Sequence, residues 1–331
     1  MKIDSYAHIL PLKFKDSLYK SRNIKSWVKK QLEANTGTFD YDIRFRILDK
    51  YDCTQILSLV TPPIEDIAEP KEAIDLARMA NDEMAELVHK YPDRFIAAVA
   101  TLPLNDIDAT LQEVDRAIND LKFRGVQIFS SIVGKPLDSP QFFPLYEKMV
   151  VYDLPLLIHP VRGSGKADYA DETESKYGIW SIFGWPYETT AAMTRLIFSG
   201  ILEKYPKIKF MTHHCGGMVP YFEGRIKDAY DMLEMRYKGN PKLGLTKSPL
   251  DYYRMFYADT AINGSISAMM CGYVFFGPEH VLFGTDTPFD SQLGFRLVRE
   301  TIEGIEQMDI PASHKKMIFE DNARKLFRLP I

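Results

Sequence analysis

The 331-residue chain has little of what would tie it to a membrane, a nucleic acid or an oxidising compartment. Its three cysteines, Cys53, Cys215 and Cys271, are far apart and odd in number. They form neither a metal-type spacing nor a disulfide framework, which points to a reducing compartment. No apolar run approaches the length of a transmembrane helix. Neither charge dominates, with 41 basic residues against 45 acidic ones and a net charge of −4, so no basic footprint for nucleic acid or anionic lipid is present. Lys2 and Asp4 stand where a signal peptide needs its basic and apolar regions, so export is not expected and the cytoplasm is. Asn263-Gly264-Ser265 fits the glycosylation sequon, a chance match in a cytoplasmic protein. No G-x-G-x-x-G follows the first strand. Gly163-Ser164-Gly165-Lys166 lacks the first glycine of a phosphate loop and is followed by Ala167 rather than Ser or Thr. Repeats, low-complexity tracts and linkers are also missing, so residues 1–331 read as one domain.

What the chain does have is a hydrophobic fraction of 46%, enough for one large core. Its apolar stretches are short and regularly interrupted. Met1 to His8 reads as a strand, followed by a long excursion over residues 10–49, rich in Lys, Tyr and Phe. Trp27 to Leu32 and Ile43 to Asp49 are helical within it, and the excursion is a candidate cover for a pocket. Thr54 to Val60 is the second strand. Helices near 71–90, 109–121, 144–152 and 188–204 then alternate with strands Phe95 to Ala100, Gly125 to Phe129, Leu154 to His159 and Ile208 to His214. A helix beginning near Val219 and a polar stretch, Lys238 to Ser248, lead to the strand Met255 to Asp259. A helix over 265–276, a strand Val281 to Asp286 and a final helical region, 291–329, complete the chain. Apolar runs of this kind read as parallel strands buried on both faces. Eight of them in βα order predict a (β/α)8 barrel with an insertion after the first strand, in preference to an open doubly wound sheet.

A barrel of this type carries its chemistry at the C-terminal ends of the strands. His8, His159, His213 with His214, Asp259 and Asp286 fall there. These include four of the seven histidines, while His89, His280 and His314 fall on helices or at element starts and read as surface residues. Imidazole and carboxylate are common ligands of divalent ions. The eighth strand lies beside the first in a closed barrel, so Asp286 and His8 can face one ion with His159 across the mouth. Tyr6 and His8, two apart on one strand, point the same way. Strand alternation sends His213 to the face opposite His214, so His213 reads as structural. Cys215 has no evident base partner and reads as packing.

These residues sit within a longer pattern. Lys2-Ile3-Asp4 leads to His8; Pro92-Asp93-Arg94-Phe95 and Leu102-Pro103-Leu104 follow; then Leu157-Ile158-His159-Pro160, Leu196 to Gly200 with Lys204-Tyr205-Pro206, and His214-Cys215-Gly216-Gly217-Met218-Val219-Pro220. Gly224-Arg225, Phe283 to Phe289 and Asn322-Ala323 close the set. In order and spacing the chain resembles the amidohydrolase superfamily. Within it, the chain is similar to the decarboxylase-like branch, amidohydrolase family 2, typified by the aminocarboxymuconate-semialdehyde and γ-resorcylate decarboxylases.

The resemblance implies one divalent ion, zinc or manganese, held by the first-strand pair at Tyr6 and His8, by His159 and by Asp286. It implies His214 as the acid/base residue, with Asp286 as a second candidate. Arg44 matches the arginine that holds a substrate carboxylate, with Arg46 as the alternative. Arg225 matches an arginine that reaches a partner subunit's site, which implies a homodimer. The departure is Tyr6, where the family has His or Glu. A phenol with an ordinary pKa near ~10 is a poor ligand. Three versions follow: a weakened site, a bound tyrosinate, or a metal-free pocket. Asp259 can orient His214, contact substrate or be a satisfied interior carboxylate. The aromatics of residues 163–187, Trp180 and Trp185 among them, wall a pocket for a planar substrate or anchor their loop or a subunit interface.

The leading expectation is a lyase that decarboxylates a small aromatic or enolic acid. The alternatives are a hydrolase or hydratase acting with metal-activated water on a lactone, amide or double bond, and a metal-poor binding protein.

Overall fold

In the computed structural model, residues 1–21, 24, 26–236 and 245–330 are described. Residues 238–244 of the predicted polar stretch lie outside them, as does the side chain of Trp27.

Eight parallel strands form the centre: β1 (Lys2–Ile9), β2 (Cys53–Leu59), β3 (Phe95–Ala98), β4 (Val126–Phe129), β5 (Leu156–His159), β6 (Phe210–Thr212), β7 (Tyr257–Asp259) and β8 (Val281–Leu282). They pair in sequence order, β1 to β3 and β4 to β8. Single bridges join the two arcs at both edges, Ala7 with Thr287 and Ala100 with Val126. The His8 amide donates to the Thr287 carbonyl at 2.9 Å and the Gln127 amide to the Ala100 carbonyl at 2.8 Å. The sheet therefore closes on itself as the sequence predicts.

Strands buried on both faces need two cores, and the chain has them. Inside the barrel lie Ile3, Tyr6, Ile56, Val99, Leu157, Met211 and Leu282, continuous with Leu326, Phe327 and Leu329 of the C-terminal segment. Outside, a larger cluster fills the space between strands and helices. The Pro70–Lys90 helix shows how sequence produces that layer. Proline opens it where no amide hydrogen is needed. Ala73, Ala77, Ala80, Met84 and Leu87 then recur at three- and four-residue steps and are buried. Asp40 and Asp106 cap the helices that follow them, accepting from Ile43 N and Ala109 N at 3.1 and 3.0 Å.

One pin crosses the seam between chain ends. Asp4 is buried and accepts from Thr285 N at 3.0 Å, Thr285 Oγ1 at 2.6 Å and Gln55 Nε2 at 3.2 Å. It ties β1, β2 and the segment after β8 together beneath the barrel mouth. Burial pushes its carboxyl up to about 6, against these bonds.

Several boundaries differ from those predicted. The helix expected near Val219 begins at Glu223, because Gly216 and Gly217 hold the chain in a turn first. The final helical region breaks into Phe295–Gln307, Ala312–Lys316, a π-turn over Met317–Asp321, and Asn322–Leu326. Pro311 divides the first two, where it cannot continue the Phe295–Gln307 helix but can precede the next. The excursion after β1 contains helices Leu12–Lys20, Ser26–Ala34 and Tyr41–Tyr51. It packs over one side of the mouth, and Val28 reaches the cavity there.

Candidate metal centre and active site

The barrel mouth gathers four imidazoles and a carboxylate. His8 ends β1 and His159 ends β5. His213 and His214 follow β6, and Asp286 follows β8. The ligand atoms of His8, His159 and His213 lie within 4.8 Å of one another, as do those of His213, His214 and Asp286. Asp286 Oδ1 is 3.2 Å from His8 Nε2 and 3.3 Å from His213 Nε2, and its Oδ2 is 3.7 Å from His214 Nε2.

His213 is a correction to the sequence reading, which placed it away from the site. Strand geometry ends at Thr212. His214 and Cys215 both take φ of 54°, and Gly216 and Gly217 are also positive. Alternation does not survive such a turn, so both histidines face the mouth. Gly217 is required there, since a Cβ would stand 2.4 Å from the Pro186 carbonyl oxygen. Cys215 is packing as expected, with its Sγ filling the space over Gly272.

Hydrogen bonds fix the tautomers of three imidazoles. His159 Nδ1 donates to the Pro160 carbonyl at 2.7 Å. His213 Nδ1 donates to Asp259 Oδ2. Ser58 spends its hydroxyl hydrogen on the Ala7 carbonyl, so its oxygen accepts from His8 Nδ1 at 3.2 Å. Each ring thus turns its Nε2 towards the shared centre. Burial would lower the His213 imidazole, but Asp259 and Asp286 outweigh it and push it up to about 10. The Nε2 atoms of His8 and His213 have no hydrogen-bond partner among the described residues. This is the arrangement a divalent ion uses, with an oxygen behind each imidazole setting its orientation.

Charges follow from that crowding. Burial would raise Asp286, but His213, His214 and His8 outweigh it and hold the carboxyl well below its usual range. Burial and the neighbouring His213 lower His214, and burial with His8 and His213 holds His159 well below an ordinary imidazole. Burial, with Asp259 and Asp286 adding to it, raises the Tyr6 phenol well above its usual value. Asp286 itself sits at φ 60°, a strained backbone for a non-glycine residue.

The remaining predicted residues are placed as follows. Tyr6 lies inside the barrel, its ring stacked on His213 at 4.1 Å and 16°. Its hydroxyl is buried with no hydrogen-bond partner among the described residues. Asp259 is the satisfied interior carboxylate among the three possibilities: it accepts from Cys215 N at 3.1 Å, Ala261 N at 3.0 Å and His213, not from His214. Arg44 is buried, and its Nη atoms donate to Gln55 Oε1 at 2.9 Å, Gly37 O at 3.1 Å and His8 O. It braces the backbone of His8 from behind. Arg225 lies exposed on the Glu223–Arg236 helix. His280 and His314 do not stand free as surface groups; they bond the Arg254 carbonyl at 2.8 Å and the Tyr273 hydroxyl at 2.7 Å.

Trp180 is one step removed from the histidines. Trp185 is in contact with them, its ring 5.8 Å from His159 and 6.1 Å from His214, with Trp180 packed edge-on behind it at 5.4 Å. Beside Trp185 is a cavity of about 210 Å³ whose lining includes Val28, Thr61, Pro63, Asp66 and Arg162. Arg162 was not singled out from the sequence, where it is one of many arginines. Its Nη1 meets Glu188 at 3.1 Å, while its buried Nε has no hydrogen-bond partner among the described residues.

The chain is similar to known proteins over nearly its whole length. The family model described as amidohydrolase matches residues 3–329. A 2-amino-3-carboxymuconate-6-semialdehyde decarboxylase of Dictyostelium discoideum is 29% identical over 93% of this chain and 86% of its own. A gamma-resorcylate decarboxylase of a Rhizobium species is 30% identical over 87% of each. Among solved structures, a dihydroxybenzoic acid decarboxylase from a Polaromonas species, with bound manganese and the inhibitor 2-nitroresorcinol, superimposes with a TM-score of 0.82. It is 27% identical and covers 100% of this chain and 97% of its own.

Proposed function

The chain belongs to the amidohydrolase family, and from that premise we propose that it is a metal-dependent, non-oxidative decarboxylase of a small aromatic or enolic carboxylic acid. The observation that carries the reading is the cluster of strand-end imidazoles beside Asp286, with a ring-sized cavity walled by Trp185, whose ring also meets His159 and His214. A cavity of about 150 Å³ already holds a benzene ring, so the one beside Trp185 accommodates a substituted ring. We read the ion as zinc or manganese, held by the strand-end imidazoles with Asp286, in a cytoplasmic homodimer.

Loss of carbon dioxide leaves an electron pair on carbon, which must be stabilised and then protonated. A bound divalent ion supplies the first need as a Lewis acid towards carboxylate and neighbouring oxygen. The chain's residues supply the rest. Asp286, held ionised, is a poor resting acid and a good acceptor. His214 is neutral near pH 7, and 12% of its side chain is exposed. Its Nδ1 is buried, and its Nε2, 3.7 Å from Asp286 Oδ2, can exchange a proton with that carboxylate or with the substrate carbon. Tyr6, Phe129, Trp185 and Phe289 pack around the histidines and exclude water, which strengthens each of these interactions.

For the carboxylate anchor the resemblance names Arg44, whose Nη groups are engaged behind His8. Arg162 fits the task better, because it lines the cavity. In the homodimer reading Arg225 comes from an exposed helix that also presents Met232 and Met235 to solvent.

The test is carbon dioxide release from the metal-loaded protein with a panel of hydroxybenzoates and muconate-type acids. Release from any of them supports the reading. Turnover of lactones or amides with no carbon dioxide from the panel would make the protein a hydrolase and overturn it.

A further inference from the structure

We propose that His213 completes the metal site in place of Tyr6, so that the ion is held by His8, His159, His213 and Asp286. The inference rests on the metal-dependent reading above and concerns which residues of this chain carry it.

The argument for His213 is its whole environment. It is fully buried, where an imidazole nitrogen needs a partner. Asp259 fixes Nδ1 as the donor, which leaves Nε2 as the nitrogen facing the site, where an ion would take the place of its proton. The ligand nitrogen of His213 falls within 4.8 Å of those of both His8 and His159. Asp286 Oδ1 stands 3.2 and 3.3 Å from the Nε2 atoms of His8 and His213, so both nitrogens aim at one oxygen. Two buried imidazole nitrogens crowded on one carboxylate oxygen are more than core packing requires. They are well explained as ligands converging on a point between them. Asp259 behind His213 repeats the oxygen-backed pattern of the other two imidazoles.

Tyr6 is excluded by the same geometry. An ion bound through Nε2 lies in the plane of the His213 ring. The Tyr6 ring lies parallel to that plane, 4.1 Å away between centroids and tilted by 16°. Its oxygen stays in its own plane, stacked a ring's thickness above the ion. A metal–oxygen bond is about 2.0–2.2 Å, and the stacked rings do not close to that. The phenol instead lies flat on the ligand's face and holds it in orientation. His214, more exposed as a side chain and with Nε2 3.7 Å from Asp286 Oδ2, stays available for proton transfer. The two adjacent histidines thus divide the work, one as ligand and the other as acid/base.

The experiment is metal binding by chelator competition, with metal content by elemental analysis, on stripped protein reloaded with manganese or cobalt. Four proteins are compared: wild type, Tyr6→Phe, His213→Asn and the double variant Tyr6→His with His213→Asn. Asparagine keeps an N–H for Asp259 and removes Nε2. Near-UV circular dichroism of the metal-free proteins establishes that each is folded. Tyr6→Phe is expected to bind as wild type does. His213→Asn is expected to bind at least ~100-fold more weakly, beyond the usual effect of losing an outer-shell partner. The double variant is expected to regain binding through a first-strand histidine pair. Cobalt absorption bands unchanged in Tyr6→Phe and altered in His213→Asn would support the assignment independently of turnover. Wild-type affinity in His213→Asn, or equal loss in Tyr6→Phe, overturns the inference and leaves the decarboxylase reading standing. A wild type that binds no ion overturns both.

Discussion

The two halves of the barrel mouth are built differently. On the strand ends, His8, His159, His213 and Asp259 are buried, and each is held by a hydrogen bond to a neighbouring oxygen or amide. On the loop after β5, Tyr169 and Tyr177 are exposed, and Arg162 and Lys166 share one carboxylate, that of Glu188. The first region can hold a fixed constellation because barrel hydrogen bonds determine where each Cα sits. The second can change its side chains without disturbing the sheet. In the proposed function, therefore, the chemistry belongs to the strands and the choice of substrate to the loop.

Substitutions break or sharpen that contrast. The largest effect is expected from Asp286→Asn, which removes the only carboxylate among the described residues that touches three of the imidazoles. kcat/KM for carbon dioxide release should fall roughly 10³-fold, with thermal stability retained. Next is Asp259→Asn, which cannot serve His213, Cys215 N and Ala261 N together. Metal affinity measured by chelator competition should drop about 10–100-fold. Arg162→Ala lies on the loop side. It should raise KM about 10-fold, in keeping with the loss of a charge-assisted hydrogen bond, while metal content and kcat hold. A fall in metal content in that variant would erase the division between strand and loop.

The smallest effect concerns stability. Glu65 is buried in the turn after β2, its Oε1 without a hydrogen-bond partner among the described residues, and burial pushes its carboxyl up to about 8. A carboxyl raised on folding favours the folded state while it stays protonated. Its contribution is complete below the ordinary glutamate range and is lost as pH climbs towards 8. Wild type should therefore lose melting temperature over that window, and Glu65→Gln should lose less. Parallel curves would remove Glu65 as the cause.

Much of this is legible in the sequence, and what is not has definite causes. Alternating βα elements fix the barrel, and its active face then selects His8, His159, His214 and Asp286. His213 escapes because alternation is a rule for extended backbone, and β6 stops one residue earlier. Arg44 reads as a substrate contact from its motif, but the helix Tyr41–Tyr51 turns it inward to the His8 carbonyl, a neighbour 36 positions away. Arg162 is silent in the sequence because its meaning comes from a cavity formed by segments far apart in the chain. Trp185 lies in the aromatic loop the sequence marks, but which tryptophan meets the histidines depends on where the Gly184–Phe198 helix begins.

The Asp4 pin has a consequence for how the protein comes into being. The carboxylate and its Thr285 partner are 281 positions apart. A nascent chain leaving the ribosome can pair its early strands one after another, but the seam stays open until the eighth has emerged. Until then His8 has no Asp286 beside it. The complete mouth therefore requires both ends of the barrel to have been synthesised before its groups can meet.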